Sequence, residues 1–201
     1  MAIPSAALAY RRSALMTATK VTTKAPTPEV LRARDDFKDF CTLMGKAPAH
    51  HMLEWHNELC TGVDTECLLG IGGPNTDILA PRGSAKSTVL GLFAAWMIGR
   101  HTAAKKMMRI LYIAYMVDIS RAKSANIKGI LTSKKYREVF PMVRLSKIKR
   151  SDEYWSIDYD FAGIDTAGEE AFTIACGGLK GAITSKPVSY THLTLPTNRE
   201  V

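Results

Sequence analysis

Apolar residues recur along this chain in several rhythms, and each rhythm predicts an element. From Pro28 to Gly62 the spacing is helical. Val30, Leu31, Phe37 and Phe40 line one face, and Met52, Leu53, Trp55, Leu59 and Cys60 form a second segment beyond Gly45 and Pro48. Cys67 to Ile71, a Gly72-Gly73-Pro74-Asn75 turn and Asp77 to Ala80 read as a hairpin or two short strands. Val89 to Ile98 is an apolar run that predicts a buried helix, ending near Gly99 with Arg100 and His101 where cations are favoured. Arg109 to Tyr115 (RILYIAY) is β-rich and unbroken, which predicts a strand covered on both faces. Asp118 or Ser120 then caps a helix carrying Ile119, Ala122, Ile127, Ile130 and Leu131, and Pro141 ends a short turn over Tyr136–Phe140. Tyr154 to Phe161 alternates as a strand, Ala171 to Cys176 reads as another, and Gly177-Gly178-Leu179-Lys180-Gly181 makes a glycine-rich turn. Strands alternating with helices predict an α/β fold with a parallel sheet and right-handed crossovers.

One junction in this pattern carries chemistry. Ile78-Leu79-Ala80 predicts a short strand, Pro81-Arg82-Gly83-Ser84-Ala85 a tight turn, and Lys86-Ser87-Thr88 the start of the apolar helix. Strand, tight turn, Lys-Ser/Thr and helix is the layout of a phosphate-binding loop. A helix start leaves backbone N–H groups unpaired and carries the positive end of the helix dipole, so it suits a polyphosphate. Lys86 would reach the outer phosphates, and Ser87 would place a hydroxyl on Mg²⁺. The common pattern is G-x-x-x-x-G-K-[ST], but Ala80 and Ala85 stand at both glycine positions here. The competing reading is an ordinary strand–turn–helix with a surface lysine.

Charge and composition refine this picture. At 201 residues, 46% hydrophobic and 23% charged, the chain suits one globular domain, and no apolar run reaches the length of a membrane span. Cys41, Cys60, Cys67 and Cys176 form no C-x-x-C pair, which argues against a zinc ribbon or a disulfide framework. His56 and Cys60 stand four apart with His51 nearby. A helix packed through Trp55 accounts for them, and a metal site is the alternative. Asp158, Asp160 and Asp165 likewise read as strand and loop acids, with a metal cluster as the alternative. The net charge of +8 is uneven: seven bases (Lys134, Lys135, Arg137, Arg144, Lys147, Lys149, Arg150) face one acid, Glu138, between Leu131 and Arg150. This stretch reads as a solvated face on a connecting segment, or as a patch for DNA phosphates.

APRGSAKST, then RILYIAYMVDISRAKSANIKGIL and then KYREVFP, together resemble the large subunit of tailed-bacteriophage terminases, and are similar to the type found in phages of marine cyanobacteria. The resemblance runs from about Phe37 to Lys186. It implies a P-loop NTPase fold of the RecA-like ASCE type, a parallel sheet with flanking helices, truncated before the Walker B strand. It also implies ATP and Mg²⁺ as cofactors, with Arg82 and Lys86 in catalytic roles and Pro81 through Thr88 as the deviant Walker A loop. The Mg²⁺-binding aspartate, the catalytic glutamate and a nuclease domain would follow Lys186. Implied partners are double-stranded DNA, the portal, the small subunit and further copies of the chain in a ring, in the cytoplasm of an infected bacterium, with no membrane. Such family members often place adenine-contacting residues upstream of the loop, usually with a glutamine. This chain has none, which leaves His50, His51, Trp55 and His56 as positional candidates. Another P-loop DNA motor or helicase-like ATPase and a non-catalytic nucleotide-binding remnant stand as alternatives.

The ends read differently from the middle. Residues 1–28 are rich in Ala, Ser and Thr with four bases and no acid, a composition expected of a disordered tail or of a start codon placed too early, with Met16 as another start. Residues 29–186 form the expected partial ATPase domain. After Lys186 the chain reads PVSYTHLTLPTNREV, and Val188 to Thr197 match the translated transposon end and adapter of tagmentation libraries. Residues 187–201 are therefore expected to be a non-native tail.

Overall fold

An 18-residue helix, Lys86–Ala103 (called α4 below), is the element around which the others pack, and its sequence explains why. From Val89 to Gly99 every residue except the half-buried Gly91 is buried. A helix that is apolar on all sides must be covered on all sides. The computed structural model describes residues 25–60, 78–81, 83–166, 168, 171–178 and 192–194.

Two short helices precede it. Helix α1 is Pro28–Asp35, with Thr27 as N-cap and proline in its first turn. Helix α2 is Phe37–Leu43, where the Asp36 carboxylate accepts from Asp39 N at 2.7 Å. Helix α1 thus begins at Pro28, the last residue of the stretch assigned by sequence to the N-terminal tail. A 3-10 turn, His50–Met52, leads into α3, Leu53–Cys60. Trp96 of α4 is fully buried and donates from Nε1 to Ala33 O at 3.1 Å, which fixes α1 against α4.

Strand β1, Ile110–Ala114, is buried along its whole length, as its unbroken apolar run predicts. Helix α5, Val117–Thr132, and helix α6, Lys134–Val139, follow. Tyr136 Oη donates to Ala95 O at 2.8 Å and ties α6 to α4. Then come β2, Leu145–Arg150; β3, Tyr154–Ile157; a one-turn helix α7, Tyr159–Ala162; β4, Ile174–Gly178; and β5, His192–Thr194. The sheet order is β2-β3-β4-β1-β5: a four-stranded body with the three-residue β5 added beside β1.

The fold is α/β, but the sheet is mixed rather than parallel. Strand β1 runs parallel to β4 (Ile110 opposite Ile174) and to β5 (Leu111 opposite His192), whereas β2–β3 and β3–β4 are antiparallel. The cause lies in the basic segment. Residues 145–150, which read as connector, form the edge strand β2, and the turn Ser151–Glu153 is too short for anything but an antiparallel return. Tyr154–Phe161 is also not one strand. Asp158 Oδ1 accepts from Phe161 N at 3.0 Å, and this cap starts α7.

Alternation along β1 divides the interior. Ile110 and Tyr112 join the large core made with the helices, and Leu111 and Ile113 join a small cluster with Phe172 and Ala175 on the other face. Gly99 marks the tightest contact in the large core. A Cβ there would lie 2.4 Å from the Phe140 ring, so the close approach of the α6–β2 connector to α4 requires glycine.

Candidate functional site

The loop before α4 is built from two left-handed residues. Gly83 has φ 84° and Ala85 has φ 60°, with Ser84 between them. Glycine takes the first conformation at no steric cost, whereas alanine pays in Cβ crowding for the second. Ala85 stands where the common phosphate-loop pattern has its second glycine, and the backbone there has the conformation a glycine would favour.

This geometry leaves donors open. Ser84 N donates to Pro81 O at 3.4 Å, while Thr88 N and Val89 N both turn to Ala85 O, at 2.9 and 3.1 Å. No side chain caps the helix, and its first turn holds no acid. Among the described residues the amides of Gly83, Ala85, Lys86 and Ser87 meet no backbone acceptor, and the last two stand at the end where the helix dipole places about half a positive charge. Ser84 Oγ is enclosed yet meets no hydrogen-bond partner among the described residues. Lys86 Nζ reaches back to Ile78 O at 3.5 Å, a long contact that an incoming anion can displace. Ser87 is half-buried and Thr88 exposed. Arg82 lies outside the described residues. The loop thus brings Pro81, Gly83, Ser84, Ala85, Lys86, Ser87 and Thr88 to one helix start, and that start can bind a phosphate or another small anion.

The strand expected before the loop is not formed: residues 78–80 have no regular structure, and Leu79 is 81% exposed. Both edges of β1, the buried strand it would join, are taken by β4 and β5. Pro81 also supplies no N–H with which to extend a ladder. The expected partner at Cys67–Ile71 and the turn that follows it lie outside the described residues, as do residues 179–181 of the later glycine turn.

The other candidates divide between structural and solvent-facing roles. His56 is buried and stacks on Phe37 with ring centroids 4.5 Å apart; burial holds its imidazole below the ordinary histidine range. His51 lies edge-on to Trp55 at 5.7 Å. Cys41 is pushed up to about 12 and Cys60 to about 11, chiefly by burial, so neither is a ready thiolate. Asp158 is spent as a helix cap, and Asp160 sits in the first turn of α7. Among the described residues no group of three or more His, Cys, Asp or Glu side chains is placed to hold a metal ion.

The basic stretch takes a shape that its sequence does not announce. Arg137 of α6, Arg144 of the connector and Lys149 and Arg150 of β2 join Lys128 of α5 around a groove of about 710 Å³, floored by buried Leu131, Val143 and Trp155. Lys128 and Trp155 were not legible as members of this site, because nothing in their local sequence says that α5 and β3 meet there.

Among the described residues no helix is long and apolar enough to cross a membrane. No family model matches the chain, and no curated protein or solved structure matches it either.

Proposed function

We propose that residues 29–186 are the N-terminal ATPase part of a viral DNA-packaging motor, the large subunit of a terminase, and that the loop at Pro81–Thr88 holds ATP with Mg²⁺. The observation that carries this reading is the start of α4: an uncapped helix with open Lys86 and Ser87 amides, an enclosed Ser84 hydroxyl and a lysine at its first position. In this reading the amides and Lys86 bind the phosphates, Ser87 offers its hydroxyl to Mg²⁺, and Arg82 stabilises the γ-phosphate. Bound Mg²⁺ would neutralise charge on the phosphates during in-line attack of water. In this reading the α/β fold, with its mixed sheet and flanking helices, would belong to the P-loop NTPases of the RecA-like type. In the whole motor the partners are double-stranded DNA, the portal, the small subunit and ring neighbours, in the cytoplasm of the infected host.

A second reading, a nucleotide-binding remnant without turnover, draws on the loop's missing strand: residues 78–80 hold no regular structure, and both edges of β1 are taken by β4 and β5. Both readings require nucleotide binding, and they part on hydrolysis.

The test is the melting temperature of the full chain with and without ATP and Mg²⁺, for the native sequence and for Lys86→Ala. A ligand present at a hundred times its Kd adds about 2.7 kcal/mol to stability, a rise of several degrees. The expected result is a rise in the native chain and none in Lys86→Ala. An equal rise in both, or none in either, overturns the phosphate-loop assignment. Steady hydrolysis abolished by Lys86→Ala would reject the remnant reading; binding without turnover is the outcome expected of this chain.

A further inference from the structure

The groove between α5, α6 and β2 is a cationic surface built independently of the loop. Among the described residues that line it, five are cationic and none is acidic. The five do two different jobs. Lys128 Nζ donates to Arg150 O at 2.8 Å, to Ser151 O at 2.9 Å and to Asp152 Oδ1 at 2.7 Å, so it braces the β2–β3 turn and occupies the nearest carboxylate. Lys149 Nζ donates to Ala171 O at 2.9 Å and lies over the Tyr154 ring. These two are structural.

The three arginines are exposed and make few demands on the protein. Arg137 has no side-chain partner among the described residues. Arg150 uses Nε alone, donating to Ser146 O at 2.9 Å. The Arg144 guanidinium lies over the Phe161 ring with its centre 3.7 Å from the ring centroid, a contact that positions it while its N–H groups meet no acceptor among the described residues. Planar guanidiniums bind phosphate oxygens in pairs, so three of them around one groove suit a repeating phosphate chain. Among the described residues that line the groove the only aromatic one, Trp155, is fully buried and cannot stack a base. Without a stacking platform, a single strand gains nothing over a duplex, whose phosphates stand in fixed rows.

We propose that this groove holds the sugar-phosphate backbone of duplex DNA, without reading its sequence, through Arg137, Arg144 and Arg150. The contact is expected to be strongly salt-dependent, because each neutralised phosphate releases counterions.

The experiment is fluorescence anisotropy of the full chain with a labelled mixed-sequence duplex, over a series of salt concentrations. Three proteins are compared: the native chain, the groove variant Arg137→Ala/Arg144→Ala/Arg150→Ala, and a control of equal charge, Lys38→Ala/Lys46→Ala/Lys106→Ala, whose positions are exposed and lie outside the groove. The groove variant is expected to lose about tenfold or more in affinity, and its slope of log K against log salt to flatten by about two to three. The control is expected to change much less. Equal losses in both variants overturn the proposal, as does a native chain that binds no duplex. Tighter binding of a single strand of the same length than of the duplex overturns the duplex assignment. Unchanged melting temperatures confirm that the variants are folded. The inference does not rest on the loop. Duplex binding that survives in Lys86→Ala, beside a nucleotide response that survives in the groove variant, shows that the two sites fail separately.

Discussion

The loop before α4 and the groove beside β2 both present positive charge to an anion, but they are made of different material. At the loop the donors are backbone amides, set by two left-handed residues and the start of a buried helix. At the groove they are guanidiniums on three separate elements, set by an aromatic ring, a carbonyl and little else. An amide is the same group whatever side chain it carries. The second glycine position can therefore hold alanine without removing a donor, provided that the backbone still reaches φ 60° at residue 85. A guanidinium belongs to arginine alone, so the groove is written in residue identity but not in conformation. The loop's affinity should follow geometry and resist salt; the groove's should follow charge and fall with salt.

The helix that carries the loop also steadies the groove, because Ala95 O of α4 accepts from Tyr136 of α6, the helix of Arg137. Trp96→Ala attacks that shared support. Trp96 is fully buried among Phe37, Phe93 and the Arg100 guanidinium, and its indole holds Ala33 O. Its removal is expected to cost about 3–5 kcal/mol in urea unfolding, the largest effect of any change discussed here, and to weaken both sites together. A variant that weakened only one site would show that the two are less coupled than the Tyr136 bond indicates. Lys128→Ala separates them. Its side chain is only 15% exposed and answers three acceptors. Losing those bonds is expected to cost about 1–2 kcal/mol and to weaken duplex binding, with the nucleotide response intact. A nucleotide response lost along with it would contradict their independence.

Much of the large core was legible from spacing alone. The apolar runs at Val89–Ile98 and Arg109–Tyr115 became α4 and β1, and Ile127 and Leu131 lie buried on α5. The edge of the sheet was not legible. LSKIKR offers no clean alternation and carries three bases, so residues 145–150 read as solvent-facing chain; pairing with β3 through a three-residue turn made them a strand. Asp158 showed the same limit, since a cap and a strand acid look alike until Phe161 N is seen to donate to it. The loop was legible in its residue types at 83–88, but its preceding strand was not, because three residues before a proline hold no ladder unless a neighbouring strand offers an edge.

The smallest predicted effect is the most local, and it tests the loop's half of the comparison. Ala85 holds φ 60° and ψ 16° at the N-cap of α4, where its Cβ crowds the following peptide. The residue is exposed, so its methyl group contributes little packing that glycine would forfeit. Glycine at this position loses more chain entropy on folding but sheds the steric cost of the left-handed backbone. The second effect is expected to win, and Ala85→Gly should stabilise the chain by about 0.5–1 kcal/mol in urea unfolding. It should also preserve the nucleotide response, because the amides of Lys86 and Ser87 stay where they are. Duplex binding at the groove should not move at all. A loss of stability in Ala85→Gly would mean that residue 85 does not hold the left-handed conformation, and the account of the loop as a backbone-built anion site would fall with it.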